Sequence, residues 1–519
     1  MRFDKFKRPF AVLFAAALLM FALCGCTAAN SSAVTQTSQD DMFTDRDYDS
    51  SYDETSAVKI TLADGNIASS SASAVATDGD CATITQEGTY VITGSLSNGK
   101  IVVDADDSAK IQLVLAGVDI NCESSAAIYV KNANKVFITL AEKSENVLSN
   151  SSDFVATDDN NIDSVVFSKS DLSFNGNGSL TVNAAYGHGI VSKDDLVFTA
   201  GAYSITSADH GLQGKNSIRI ANGTFNIKCT EDGLHSENKD DSSKGFVYII
   251  GGTLNISAGD DGIHSGTSLT VKDGKINISE SCEGLEGQSI NISGGTVSVV
   301  SSDDGFNAAS SDSSSARQSD PMAADDNCSI NISGGKITVD ADGDGIDSNG
   351  SITVSGGEIY VAGPESGENG ALDYNGTATV TGGTVIMLGS NKMAQNFGSE
   401  STQGVMLVSF SETTGETSFS DADGKVLASF SSNKKYASAV ISTPDIKHGE
   451  TYTVTAGGET QSIEMSSLVY GENSHQGANE MGKGQPGMPR GENNGGMAPG
   501  SNPSGGGDSS GSGQPPEKP

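Results

Sequence analysis

Residues 283–306 read EGLEGQSINISGGTVSVVSSDDGF, and this stretch decides the fold. Glu283-Gly284-Leu285 opens it, Ile292-Ser293-Gly294-Gly295-Thr296 divides it, and Asp304-Gly305-Phe306 starts the next copy. A glycine preceded by an acid or a histidine and followed by an aliphatic residue or Phe recurs at Gly189, Gly211, Gly233, Gly262, Gly284, Gly305 and Gly345, with Ala371-Leu372-Asp373 as a degraded copy. The intervals are 22, 22, 29, 22, 21 and 40 residues, and the two long ones contain the polar insertions Asn238–Gly245 and Ser310–Asn327. The Gly-Gly divider returns at Gly334-Gly335, Gly356-Gly357 and Gly382-Gly383. Runs such as Ser289–Ile292 and Thr296–Val300 lie between these marks and read as short strands. A unit of this size cannot bury its own apolar face. Stacked copies can, each coil hydrogen-bonding the next at ~4.8 Å. The sequence therefore predicts an all-β parallel β-helix over residues 57–398, and its period is too short for propeller blades of ~40 residues.

Outside the regular coils the pattern changes. Residues 57–180 keep alternating runs such as Lys110–Leu115 and Lys135–Leu140 and read as irregular first coils with a cap. Residues 399–470 lose the period and carry longer alternating runs, which predict a small C-terminal antiparallel β unit. Residues 471–519 are rich in Gly, Pro, Asn and Ser with almost no aliphatics, and read as a disordered tail. At the other end, Arg2, Lys5, Lys7 and Arg8 precede the apolar run Phe10–Leu23, whose 14 residues fall short of a membrane span of ~20. Leu23-Cys24-Gly25-Cys26 resembles a bacterial lipobox, so residues 1–25 read as a lipoprotein signal peptide and Cys26 as the lipidated residue. Residues 26–56 then read as a flexible Ser-, Thr- and Asp-rich tether. The expectation is an extracellular monomer held on the bacterial membrane by a lipid anchor. Five further cysteines, an odd number without CxxC spacing, suit thiols in a repeat core better than a disulfide framework.

The formal net charge is -36, from 30 Lys plus Arg against 66 Asp plus Glu. That balance excludes nucleic acid as a partner and favours multivalent cations, above all Ca²⁺ with its oxygen ligands. Stacking turns the acids into columns. Asp232, Asp261, Glu283, Asp304 and Asp344 precede the repeat glycine, Asp209, Glu231, Asp260 and Asp303 sit one position earlier, and Gln213, His235, His264, Glu286, Asn307 and Asp347 lie two positions after it. Like charges ~5 Å apart repel by roughly 3 kcal/mol at an effective dielectric of ~20, so either the side chains splay into water or a cation sits between them. Asp340, Asp342 and Asp344 follow the D-x-D-x-D-G spacing of a Ca²⁺ loop, and alternation along a strand puts them on one side. Position 12 is Ser351, so this is no EF-hand. His235 and His264 share a position in different coils, and zinc there is conceivable, but the intervening acids favour Ca²⁺.

Residues 57–470 resemble a family of secreted, mostly clostridial carbohydrate-binding proteins. The likeness rests on Gly88-Thr89-Tyr90-Val91-Ile92-Thr93-Gly94, on Glu231–Ser236 and Asp260–Ser265, on the repeated Ile-Ser-Gly-Gly, and on Ile441-Ser442-Thr443-Pro444-Asp445-Ile446. The resemblance implies a right-handed parallel β-helix similar to that of polysaccharide lyases. It also implies bound Ca²⁺ and binding of plant cell-wall polysaccharides, both cellulose and acidic pectin, and the expectation for this chain is binding of one or the other without catalysis. Trp is absent, and among the tyrosines near the coils Tyr360 and Tyr374 are the candidate sugar contacts. Two alternatives compete. A Ca²⁺-dependent pectate lyase needs a basic residue beside the acids, with Arg219 the first candidate and Lys215 and Lys228 next. A structural surface or adhesion protein needs neither product nor soluble glycan.

Overall fold

The apolar residue after each repeat glycine forms a column through the core. Ile190, Leu212, Leu234, Ile263, Leu285, Phe306 and Ile346 pair in register from coil to coil, and all are fully buried. The computed structural model in which this is seen describes residues 42–156, 160–310, 323–365, 367 and 369–474. The expected signal peptide, Cys26 as the expected lipidated residue, and most of the Gly- and Pro-rich tail lie outside the described residues.

Each regular coil contributes strands to three parallel ladders. Leu212–Gly214 pairs with Leu234–Ser236 in the first, and Ser217–Ile220 with Phe246–Ile249 in the second. In the third, Thr224–Lys228 pairs with Thr253–Ser257, which pairs with Lys275–Glu280. The molecule is nearly all strand and solenoid-like, with a four-residue helix, Asp45–Tyr48, among the described residues. Ladders of this kind already run through the less regular N-terminal part, where Val58–Leu62 pairs with Gly88–Leu96 and that strand with Lys110–Asn121. The two glycine signals have different causes. At Gly233 a Cβ would lie 2.5 Å from both the Gly262 carbonyl oxygen and Ile256 Cγ2, so the approach of the next coil excludes a side chain. In the divider, the second glycine has φ +80° at Gly295 and +87° at Gly335, a left-handed backbone that glycine adopts without strain.

Past Ala378–Gly389, the last strand of the stacked ladders, the pairing turns mainly antiparallel. That strand pairs with Val426–Ser442, which also pairs with Val405–Ser420, and Thr451–Ala456 pairs with Glu459–Glu464. Met406, Phe419, Ile441 and Val454 belong to a separate apolar cluster there. Covering the open edge in this way removes a row of unpaired backbone groups from solvent. None of Cys81, Cys122, Cys229, Cys282 and Cys328 forms a disulfide among the described residues.

The described part of the expected tether is packed rather than loose. Asp47 is 1% exposed; Lys135 Nζ lies 2.7 Å from its carboxylate, and Ser173 Oγ donates to it at 2.5 Å. Asn175 and Thr199 donate to the Asp47 carbonyl, Arg219 donates to that of Met42, and the Arg46 guanidinium lies 4.4 Å from the centre of the Phe137 ring. A Ser-, Thr- and Asp-rich composition reads as unstructured because the partners that bury Asp47 lie on coils far along the chain, as the Lys135 contact shows.

Candidate functional site

The position before the repeat glycine has a backbone duty in five of the seven copies. His188 Nδ1 accepts the amide N–H of His210 at 3.1 Å, His210 Nδ1 accepts that of Asp232 at 3.1 Å, and Asp232 Oδ1 accepts that of Asp261 at 2.9 Å. Further along, Asp304 Oδ1 accepts the Asp344 N–H at 2.6 Å, and Asp344 in turn accepts that of Gly370. The site calls for an acceptor that reaches one coil onward, and either Asp or His meets that need.

A second row stands two residues after the glycine, where Gln213, His235, His264, Glu286, Asn307, Asp347 and Asp373 follow in register. The rows meet side chain to side chain. His235 Nδ1 donates to Asp232 Oδ2 at 2.6 Å, His264 Nδ1 bonds Glu286 and lies 3.3 Å from Asp261 Oδ2, and Asn307 Nδ2 donates to Glu283 Oε2 at 2.9 Å. His188, His210, His235 and His264 stack one per coil with ring centroids 4.9, 4.3 and 4.8 Å apart. The stack crosses from the first row to the second between His210 and His235. Beside it opens a cleft of about 480 Å³ lined by His210, His235, His264, Glu231, Asp232, Glu237, Asp260, Asp261, Glu283, Glu286 and Cys282, with no Lys or Arg in the lining.

Burial and crowding of like charges raise several of these carboxyls. Burial, then Glu286 and Asp261, push Glu283 up to about 8 against the Asn307 hydrogen bond. Burial with the charges of Asp344 and Asp373 takes Asp347 to about 8. Asp344 rises to about 7 and Asp304 to about 6, burial again being the largest cause. Burial lifts Asp261 to about 7 against its His264 contact. Burial lowers His210 to about 3. For His264 burial acts downward too, but Asp261 and Glu286 outweigh it and raise the ring to about 10. Three groups in this row bring ligand atoms within 4.8 Å of one another: His210, Asp232 and His235; Asp232, Asp261 and His264; Asp261, Glu283 and Glu286.

The residues expected from sequence divide. Asp232, Asp261 and Glu283 converge in the cleft, with exposed Asp260 among its lining residues. Asp304, Asp344 and Asp347 interact further along the same rows, with exposed Asp303 beside them. The D-x-D-x-D run does not converge. Lys434, from the C-terminal antiparallel unit, lies 3.2 Å from Asp340 and 2.9 Å from Asp342, while Asp344 turns to the Gly370 amide. Alternation fails as a guide because Ser329–Ala341 ends one residue after Asp340 and a bend follows. The tyrosines are engaged by the fold: Tyr374 Oη donates to the Asn396 carbonyl at 2.7 Å, and the Tyr360 ring centroid lies 5.4 Å from that of Phe430. Arg219 is tied to Asp195, to Ser217 Oγ and to the Met42 carbonyl, and Lys215 lies 2.6 Å from Asp240. Sequence reading sets Glu286 and Asn307 in the column two residues after the glycine without naming them as ligands, and it gives His210 no role beyond the repeat motif.

Comparison with known proteins gives three likenesses. Residues 78–315 match a family model described as carbohydrate-binding domain-containing protein. A protein of the same description from Acetivibrio thermocellus is 39% identical over 124 residues, which are 24% of this chain and 43% of the relative, so the match spans less than half of that protein. A solved structure described as the polysaccharide lyase-like protein from C. thermocellum, gadolinium derivative, is 33% identical, with a TM-score of 0.42, over 46% of this chain and 97% of its own.

Proposed function

We propose that this chain, which matches the carbohydrate-binding domain-containing family over residues 78–315, is a non-catalytic, Ca²⁺-loaded polysaccharide-binding protein of the bacterial cell surface. In this reading the solenoid is a right-handed parallel β-helix closed by the antiparallel unit, it acts as a monomer, and a lipid on Cys26 holds it outside the membrane. Its ligands are plant cell-wall glycans, cellulose or acidic pectin.

The observation that carries the reading is the double row of crowded carboxylates. Glu283, Glu286, Asp304, Asp344 and Asp347 offer hard oxygen ligands of the kind Ca²⁺ takes. Asn307 Oδ1 is buried among them without a hydrogen-bond partner, an acceptor that suits a cation. When bound, Ca²⁺ supplies charge that offsets the repulsion along the rows and links protein carboxylates to those of a uronate chain. The protein's own residues do the rest. Backbone amides fix Asp304 and Asp344 from one side, and Asn307 orients Glu283. Among the described residues the cleft lining has no Lys or Arg, which favours binding over elimination, since the lyase reaction needs a base beside the acids. Exposed Tyr186, two residues before His188, is a better-placed ring for a sugar face than Tyr360 or Tyr374.

The test is retention of the protein on insoluble cellulose and on polygalacturonate, with and without chelator, while ultraviolet absorbance is followed. Retention lost with chelator and no new absorbance is expected. New absorbance from unsaturated uronate would make the protein a lyase, and neither retention nor product would leave a structural surface protein.

A further inference from the structure

We infer that the outward face of the third ladder is a docking surface for ordered, uncharged polysaccharide, cellulose, separate from the carboxylate rows. This rests on the polysaccharide-binding reading and adds a second surface to it. The three ladders differ in what lies over them. The first carries His235 and His264 beside the acid-lined cleft. The second lies under the packed N-terminal segment, where Ser173 meets Asp47, Phe137 meets Arg46 and Arg219 meets Met42. The third is open to solvent along the strands from Ser179–Ala184 to Thr296–Ser301, with Ser204, Thr206, Thr224, Asn226 and Thr296 exposed. At its C-terminal end the face is bounded by Tyr360, whose ring packs on Phe430 of the antiparallel unit.

Over six coils this ladder turns Leu180, Tyr203, Phe225, Leu254, Ile276 and Val297 into the core, so the residues between them point outward. One outward column reads Thr181, Ser204, Asn226, Asn255, Asn277 and Ser298 in register. The column beside it reads Ser179, Ala202, Thr224, Thr253, Lys275 and Thr296. Neither column contains an acid, in a chain with 66 Asp plus Glu. A third column adds Lys228 and Glu280, of opposite sign. Hydrated strand faces are where carboxylates cost least, so this stretch is set apart from the rest of a polyacid. Its polar groups are also available. Asn255 Nδ2 donates to Asn226 Oδ1 at 3.0 Å, which fixes those amides as a ladder, while the Thr224, Thr253, Thr296 and Ser298 hydroxyls make no hydrogen bond to a described residue. Coils ~4.8 Å apart and alternate residues ~6.8 Å apart set these groups on a flat lattice. The lattice is preformed, and short side chains lose little freedom on docking. Its complement is a surface that is likewise ordered, neutral and rich in hydroxyls. Cellulose, with neutral glucan chains side by side, has that chemistry. A uronate chain does not, because it brings a charge on every sugar to a face without cation ligands.

The test uses the full chain with Ca²⁺ in millimolar excess throughout, so that the carboxylate rows stay loaded. Thr224 is exposed and its hydroxyl has no described partner. Thr224→Glu and Thr224→Lys should each weaken retention on crystalline cellulose roughly 10-fold or more, since a charge of either sign loses water against a neutral surface. Both should leave retention on polygalacturonate unchanged. Because a variant can fail to fold, the unmodified protein is also read directly. Bound to cellulose, exposed Lys228 and Lys275 should be shielded from amine acetylation while Lys239 stays reactive; bound to polygalacturonate, neither should be shielded. Full acetylation of Lys228 and Lys275 on cellulose would overturn the face and leave polysaccharide binding standing, as would Thr224 variants that bind cellulose like the unmodified protein. Retention on polygalacturonate but not on cellulose would do the same. Retention on neither polymer would overturn the polysaccharide-binding reading and the face with it.

Discussion

Asp347 shows how one residue can stabilise or destabilise the fold according to what sits beside it. Burial and the charges of Asp344 and Asp373 raise its carboxyl to about 8, so above that pH its ionised form is held at a cost in the folded state. At pH 9 in chelator, Asp347→Asn should therefore stabilise the protein by roughly 1 kcal/mol or more. In millimolar Ca²⁺ the same change should remove a ligand and lower the melting temperature. Paired thermal melts decide the matter: a lower melting temperature in chelator means that Asp347 is not repelled. The acid before each glycine is visible in the sequence, but its two duties are not. Asp232 uses one oxygen for the Asp261 amide and the other for His235, and neither partner is known until the register between coils is fixed.

At the scale of elements, the strap around Asp45–Tyr48 is the sharpest case of hidden order. Its buried Asp47 is bonded to Lys135 and Ser173, so Asp47→Ala leaves a desolvated Lys135 without its partner. Breaking a buried pair from one side costs roughly 3 kcal/mol, and urea denaturation should show a loss of that order; a change under about 0.5 kcal/mol would mean that the strap is only draped over the coils. The stacked strands, by contrast, were legible. Leu234, Ile263 and Leu285 keep the same offset from their glycines, and a local repeat needs only one register to specify a core column. Non-local pairs carry no such period. The link from Lys434 to Asp340 and Asp342 joins the antiparallel unit to a turn about 90 residues earlier, which is why the D-x-D-x-D run looked like a cation loop and is instead an anchoring point.

On the scale of the whole molecule, the net charge of -36 includes rows of carboxylates carried by a solenoid in which each coil touches only its neighbours. Glu283, Asp347, Asp344, Asp261 and Asp304 all have carboxyls raised above their ordinary values, to between about 6 and about 8. A carboxyl raised by folding binds its proton more tightly in the native state, so the native protein holds more protons than the unfolded chain between about pH 4 and pH 8. Stability must then fall as pH rises through that window. His264, raised to about 10, acts in the same direction above its ordinary value, whereas His210, lowered to about 3, acts oppositely only between about 3 and 6.5. In chelator the melting temperature should therefore decline from pH 6.5 to pH 8.5. Ca²⁺ should flatten the decline, because a bound cation favours the ionised form of each carboxylate it touches. KCl at equal ionic strength should restore far less, since screening is weak for buried groups. A melting curve that rises with pH in chelator, or one that KCl corrects as well as Ca²⁺ does, would mean that the carboxylates along the rows splay into water and hold no ion.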